Sequence, residues 1–557
     1  MSLEKFALGI DFGTESGRVA LFSVKDGRLA GSATVPYPHG VLTAGLPGGP
    51  NLAPDWVLQH PRDYLRVIEE GVPRARKAAR VRSSDVVGIG VDFTCSTPLP
   101  VLRNGTPLCC LPRYSRVPHA WPKLWKHHAA QPEANLINAV ARQRGEDFLR
   151  AYGGRYSSEW FFSKVLEVLR DAPEVYELAD KFIEGGDWIV WQLTGKERRS
   201  ASLAGFKAMW IKGRGFPSSD FFRALHPQLE HVVEEKLACT YYAPGTPAGG
   251  LNAAWARKTG LRPGTPVAVA NPDGHVAVPA CGVTEPGTLV MVMGTSVAHM
   301  TFGTEPKSVE GMCGSVEDGI VPRLWTHEAG QSGVGDMLAW FFLHSVPHRW
   351  RNEARKAGED FIALLQRRAA SLRPGQAGLL ALDWWNGNRS VLVDADLAGM
   401  LIGVTLATRP EEIYRALLEA AAFGTRTIIE AFEAAGIAIR DIVTCGGLPE
   451  KNPLLLQIVA DVTGREIKLA EQLQACSALG AAMHGTVAAG AVRGGYDTVV
   501  DAAQRMARVQ KRTYKPRREA HEIYNRLFRE YTALHDYFGR GANDVMKRLK
   551  ALTREQS

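Results

Sequence analysis

Two segments far apart in the chain are built to one plan. Near the start, a short apolar run from Phe6 to Ile10 passes through Asp11-Phe12-Gly13-Thr14-Glu15-Ser16-Gly17 into a second run from Val19 to Phe22. Much later Thr288 to Met293 passes through Gly294-Thr295-Ser296 into Val297 to Phe302. Each reads as strand, tight turn, strand, because β-branched and apolar residues flank glycine and hydroxyl residues that suit a turn. A chain with this echo folds either as two similarly built halves, each offering a hairpin turn to a shared cleft, or as an α/β protein with two unrelated hairpins.

At 557 residues the chain is too long for one core, and about one domain per 150 residues allows three or four units. With 45% hydrophobic and 22% charged residues it is ordinary globular material. A net charge of +8 spread over this length marks a solvated surface, and the absence of zinc-finger spacing, RNP motif or basic zipper excludes dedicated nucleic-acid readers. Eight cysteines without a Cys-x-x-Cys pair predict reduced thiols, with neither a zinc site nor a disulfide frame. The opening MSLEKFALGI does not fit a signal peptide and no run approaches a membrane span, so the cytoplasm is the expected compartment.

Asp11-Phe12-Gly13 imitates the metal-binding tripeptide of protein kinases, but only ten residues precede it, leaving no room for a glycine-rich loop and strand lysine. No Gly-x-x-x-x-Gly-Lys-Ser/Thr occurs, and Gly13 opens no Gly-x-Gly-x-x-Gly turn. A different phosphate grip is left. A Gly-Thr turn at a strand end aims consecutive N–H groups and hydroxyls outward, which suits β- and γ-phosphate oxygens. Gly13 and Gly294 permit close approach, Thr14, Ser16, Thr295 and Ser296 supply hydroxyls, Arg18 supplies charge, and Asp11 suits Mg2+ or one of its waters. Asp273, at the end of the apolar run from Pro266, is the candidate base for phosphoryl transfer to a hydroxyl, or else the cap of a helix from Gly274 to Ala280. Lys207 and Glu328 are poised either for sugar hydroxyls or for a salt bridge. After the strand Ile442–Cys445, Gly446-Gly447 gives an adenine platform or a packing turn, with Asn452 as a polar contact and Ala478 to Ala482 as a small-residue helix beside it. Ile523, Leu527, Tyr531, Leu534 and Phe538 mark an amphipathic helix whose stripe is core or a subunit contact, which admits a homodimer. Asn386-Gly387 reads as a hairpin turn without a role.

In this order, GIDFGTESGR, LQHPRDY, GIGVDFTCSTPLP, YSSEWFFSKV, GDWIVWQLTG, NPDGH, VMGTS, HEAGQSGVGD, DWWNGNRS, CGGLPEKN and ALGAAM resemble the FGGY carbohydrate kinases, and YSSEW and EAGQS resemble the branch acting on L-ribulose. The resemblance covers nearly the whole chain. It implies an α/β fold of two actin-like, ribonuclease H-like domains, with MgATP and sugar meeting in the cleft between them. The expected division is 1–285 for sugar binding, first phosphate turn and catalytic Asp, 286–495 for the second phosphate turn and adenine site, and 496–557 as a helical extension. It also implies Asp273 as the base, Cys95 (through its backbone region), Lys207 and Glu328 as contacts to L-ribulose, the Gly13-Thr14 and Gly294-Thr295 turns on phosphate, and Gly446-Gly447 under adenine. The expected reaction converts L-ribulose to L-ribulose 5-phosphate in arabinose breakdown. Another ketopentose or a pentitol is the alternative substrate, and an actin-like interaction protein or an inactive sugar sensor is the alternative class. His127 stands where several relatives have aspartate, a departure that bears on sugar specificity.

Overall fold

The computed structural model describes residues 4–555, so the first three residues of the expected N-terminal domain and the last two of the expected extension lie outside the described residues. Two seven-stranded mixed sheets organise the chain. In the first, β1 (Phe6–Phe12) pairs antiparallel with β2 (Ser16–Ser23), and β2 antiparallel with β3 (Leu29–Pro36). On its other side β1 runs parallel to β4 (Val86–Phe93). Two further strands, β5 (Pro247–Gly250) and β6 (Pro266–Ala268), complete that edge, with β6 parallel to β4 and β5 antiparallel to β6. Asn271–Pro272 adds a last short pairing to β4.

The second sheet contains β7 (Thr288–Met293), β8 (Val297–Gly303), β9 (Gly314–Glu317), β10 (Trp325–Gln331), β11 (Asp441–Cys445), β12 (Ile467–Ala470) and β13 (Val509–Tyr514). Its order β10-β8-β7-β11-β12-β13 repeats the first sheet's β3-β2-β1-β4-β6-β5, with the same parallel or antiparallel sense at every step. The echo between the two turns is thus the visible part of a repeated scaffold. In both sheets the parallel centre is mostly apolar, as a sheet covered on both faces requires, and all eight residues of β4 are buried, Asp92 among them.

Seven helices matter below: α1 (Phe161–Asp171), α2 (Ala201–Lys207), α3 (Asp273–Ala280), α4 (Pro410–Ala434), α5 (Pro453–Thr463), α6 (Cys476–Ala489) and α7 (Arg518–Gly539). Although α6 belongs to the second half of the chain, it lies flat on β1 and β4 of the first sheet. A Cβ added at Gly9 would sit 1.8 Å from the Ala478 carbonyl oxygen, one at Gly90 1.7 Å from that of Ala481, and one at Gly480 1.8 Å from that of Val276 in α3. Backbone meets backbone here, and no side chain fits between. The small residues of α6, expected beside adenine, make the joint between the halves. Residues from both sheets share the core around it, among them Ala7, Phe22, Val290, Met300 and Leu479.

Helix α7 turns its core face through Tyr524, Phe528, Tyr531 and His535, whereas Ile523 of the expected stripe is exposed. The rotation lets the Tyr524 hydroxyl donate to Glu419 at 2.9 Å and accept from Arg415 at 2.9 Å, so α7 seals α4 as core. The segment expected as a helical extension also contributes β13, whose charged sequence Val-Gln-Lys-Arg-Thr-Tyr hides an edge strand.

Candidate active site

The chemistry gathers where the strands of the first sheet end. Register places Asp11 of β1 beside Asp92 of β4, and Asp92 beside Asn271. Two residues later Asp273 is the first residue of α3, its carboxylate accepting the Gly274 N–H at 2.7 Å; the cap position falls on Pro272 without a side-chain bond, so Asp273 is not the helix cap offered as its alternative role. Asp11, Asp273, Cys95, Lys207 and Glu328 line one cavity of about 360 Å³ together with Thr14, Gly294, Thr295 and Ser296.

Three carboxyls so close in a buried setting cannot all ionise at ordinary pH. Burial, with neighbouring Asp11 and Glu328, pushes Asp273 up to about 7 against the Gly274 N–H and Arg389. Burial together with Asp11 and Asp273 drives the Asp92 carboxyl well above the carboxylate range. Asp11 is raised by burial, opposed by Arg18 at 4.0 Å. On the other wall Lys207 Nζ meets Glu328 Oε2 at 2.7 Å and His275 Nε2 meets the same oxygen at 3.2 Å. Against the upward push of burial, Lys207 and His275 hold Glu328 down at about 2. The salt bridge foreseen as one alternative for this pair therefore exists, inside the cavity.

The two turns are alike. In the first, Gly13 N–H donates to the Ser16 carbonyl at 3.1 Å; in the second, Gly294 N–H donates to the Ser296 carbonyl at 2.8 Å. The first is tethered by Tyr37 Oη donating to the Gly13 carbonyl (3.0 Å), Gln59 Nε2 to the Thr14 carbonyl (2.7 Å) and Trp125 Nε1 to Thr14 Oγ1 (3.2 Å). The second is held by Gly335 N–H on the Thr295 carbonyl at 2.9 Å. Between them the Cys95 loop is fixed by α1, whose Lys164 Nζ donates to the Ser96 carbonyl at 2.7 Å.

Other expected residues lie apart from the cavity lining. Gly13 and Ser16 close the first turn outside the cavity lining, and Arg18 sits beside Asp11 while donating to the Gln474 carbonyl. Gly446 adopts φ 103° and packs its backbone against Met293, and Gly447 faces open space. Asn452 is buried, with its Oδ1 accepting the Leu455 N–H (3.1 Å) to cap α5 and its Nδ2 donating to Tyr414 Oη (2.7 Å); the amide expected to contact adenine is taken up by the helix. His127 is also away from the cavity. Its Nδ1 accepts the Val57 N–H at 3.1 Å, which leaves Nε2–H to donate to Glu167 at 3.0 Å, and burial pushes its pKa down to about 4.

Among the cavity-lining residues that sequence reasoning missed are Arg389 and Glu159. Arg389, from the DWWNGNRS turn given no role, reaches across to Glu159 with bonds of 2.8 and 3.1 Å and stacks 4.8 Å from the Trp125 ring. Glu159 also meets His128 Nε2 at 3.0 Å. This buried pair ties the second half to the first at the cavity rim. A lone arginine among turn residues carries no local signal of such reach. Asp92 did carry one, a polar residue ending an apolar run.

A model for the C-terminal domain of the FGGY family of carbohydrate kinases matches residues 289–489. The chain is 54% identical to a ribulokinase of Geobacillus thermodenitrificans, over 98% of this chain and 97% of that one, and 46% identical to a ribulokinase of Mycolicibacterium smegmatis, over 98% and 96%. Among solved structures it is similar to a ligand-bound xylulose kinase from Lactobacillus acidophilus (TM-score 0.76, 16% identity, 96% of this chain and 99% of that one). It is also similar to a Plasmodium falciparum glycerol kinase with ADP (TM-score 0.71, 14% identity, 95% and 98%). These likenesses carry the two-domain actin-like fold that the repeated sheets display. Among the described residues no helix is long and apolar enough to cross a membrane.

Proposed function

The chain belongs to the FGGY family of carbohydrate kinases, and on that footing we propose that it transfers the γ-phosphoryl group of ATP to the terminal hydroxyl of L-ribulose, giving L-ribulose 5-phosphate for arabinose breakdown. The observation that carries this reading is the convergence of Thr14 and Thr295, from turns in different sheets, on the same cavity as Asp273. Full-length likeness to ribulokinases selects the sugar.

In this reading the backbone and hydroxyl donors of Gly13, Thr14 and Ser16 and of Gly294, Thr295 and Ser296 hold the phosphates from two sides, while Gly446 and Gly447 lie under the adenine. Lys207 and Glu328, already paired, respectively donate to and accept from the sugar hydroxyls, and the Cys95 loop closes the pocket. Asp273 takes the proton from the attacking hydroxyl as the new P–O bond forms; its pKa of about 7 makes it a competent base near neutrality. The crowd of raised carboxyls at Asp11 and Asp92 is what a hard divalent cation would relieve, and oxygen donors of this kind suit Mg2+. Asp11 is the residue to hold it, directly or through water, and the ion when bound neutralises phosphate charge. The division into 1–285, 286–495 and 496–557 belongs to the same reading, with α6 as the joint. So does cytoplasmic action on small molecules.

The test is ADP release measured with a coupled assay over the pentuloses and pentitols. L-ribulose is expected to give the highest kcat/KM. A higher value for another sugar reassigns the substrate, and no ADP release with any of them favours the sensor or interaction-protein class.

A further inference from the structure

Three cysteines remote in sequence meet where the two halves join. Cys281 ends α3, Cys445 ends β11 and Cys476 begins α6. Their sulfurs all lie within 4.8 Å of one another, and Cys281 Sγ is 3.7 Å from Cys476 Sγ. We infer that Cys281, Cys445 and Cys476 form a binding site for one soft divalent cation of the zinc class.

Geometry is the first argument. Thiolate–zinc bonds of about 2.3 Å in a tetrahedral or trigonal arrangement put the sulfurs about 3.8–4.0 Å apart. The Cys281–Cys476 separation of 3.7 Å already matches, and the Cys445 sulfur lies within 4.8 Å of both to offer the third corner. Chemistry is the second. These are sulfur donors without a competing carboxylate or imidazole in the group, which selects a soft ion over Mg2+ or Ca2+. The residues are 1%, 0% and 2% exposed, so a bound ion is shielded from water and chelators. Charge is the third. Binding releases three thiol protons to solvent and leaves a centre of charge −1, and Cys476 stands in the first turn of the 14-residue α6, where unpaired N–H groups favour a negative sulfur.

The position gives the site its consequence. One ion would fasten α3, α6 and β11 together at the joint, next to Ser477, which lines the cavity, and to the Gly446-Gly447 turn. Thiol spacing along the chain gave no hint of this, since no two of the three lie in a short motif. The inference does not depend on which sugar the cavity takes.

The test uses the full chain, reduced with a phosphine, freed of metal and titrated with Cd2+ as the probe. A thiolate-to-cadmium ultraviolet band saturating at one equivalent is expected, displaced by Zn2+. It should be lost in each of Cys281→Ala, Cys445→Ala and Cys476→Ala, and kept in Cys95→Ala, Cys239→Ala and His39→Ala. Zn2+ should also raise Tm of the wild-type chain and leave that of folded Cys445→Ala unchanged. No band at one equivalent on the folded wild-type chain overturns the inference whatever the variants do, and so does a band that survives all three substitutions.

Discussion

The two sheets share strand order and sense, yet they carry different chemistry at matching places. Asp11 lies two residues before its turn glycine and pairs with Asp92; in the second sheet Val292 lies two residues before Gly294 and pairs with Cys445. A carboxyl pair in one half is thus an apolar residue and a thiol in the other. Both turns close on a glycine-to-serine hydrogen bond, from Gly13 to Ser16 and from Gly294 to Ser296, so the turn motif repeats while the acids do not. A duplicated scaffold divides its labour in this way: both turns are built alike, but only the first sheet carries a carboxyl pair beside its turn.

Removing the acid should break this asymmetry most severely. Asp273→Asn is expected to lower kcat by about 10²–10⁴-fold with KM for sugar and ATP little changed, measured by steady-state kinetics; an unchanged kcat would strip Asp273 of its role. The same acid sets the pH response. Because a base works only when deprotonated and Asp273 sits at about 7, kcat/KM should fall about tenfold per unit below that pH and level off above it. Giving the second half an acid it lacks sharpens the comparison from the other side. Val292→Asp places a carboxylate on the cavity wall beside the second turn and should raise KM for ATP about tenfold through repulsion of phosphate, whereas Val292→Asn stays near wild type. The smallest effect is expected from Asn452→Ala, which should cost about 1 kcal/mol of stability as a lost helix cap, read from a denaturant midpoint, and leave KM for ATP unchanged.

What the sequence disclosed and what it concealed follow from range. Both hairpins were legible because strand, turn and strand are contiguous, and glycine with hydroxyl residues punctuates them. Their neighbours were not, since nothing local says that residue 11 will lie beside 92 or residue 292 beside 445. Asp273, Lys207 and Glu328 could be nominated singly, but the ion pair inside the cavity needed coordinates. Asn452 shows the reverse case. With Pro453 directly after it, at a position where helices tolerate proline, its capping role was written locally and was outweighed by the expected adenine contact. His127, singled out as a departure from the family pattern, enters the Glu167 network away from the cavity.

The glycine-on-carbonyl contact between α6 and the first sheet has a consequence for how the molecule is made. On one face, the sheet begun at residue 6 receives its cover over β1 and β4 from residues 476–489. During synthesis, Gly9, Gly88 and Gly90 face solvent as a bare backbone track until most of the polypeptide has left the ribosome. The N-terminal half, first to be translated, is therefore among the last parts to be finished.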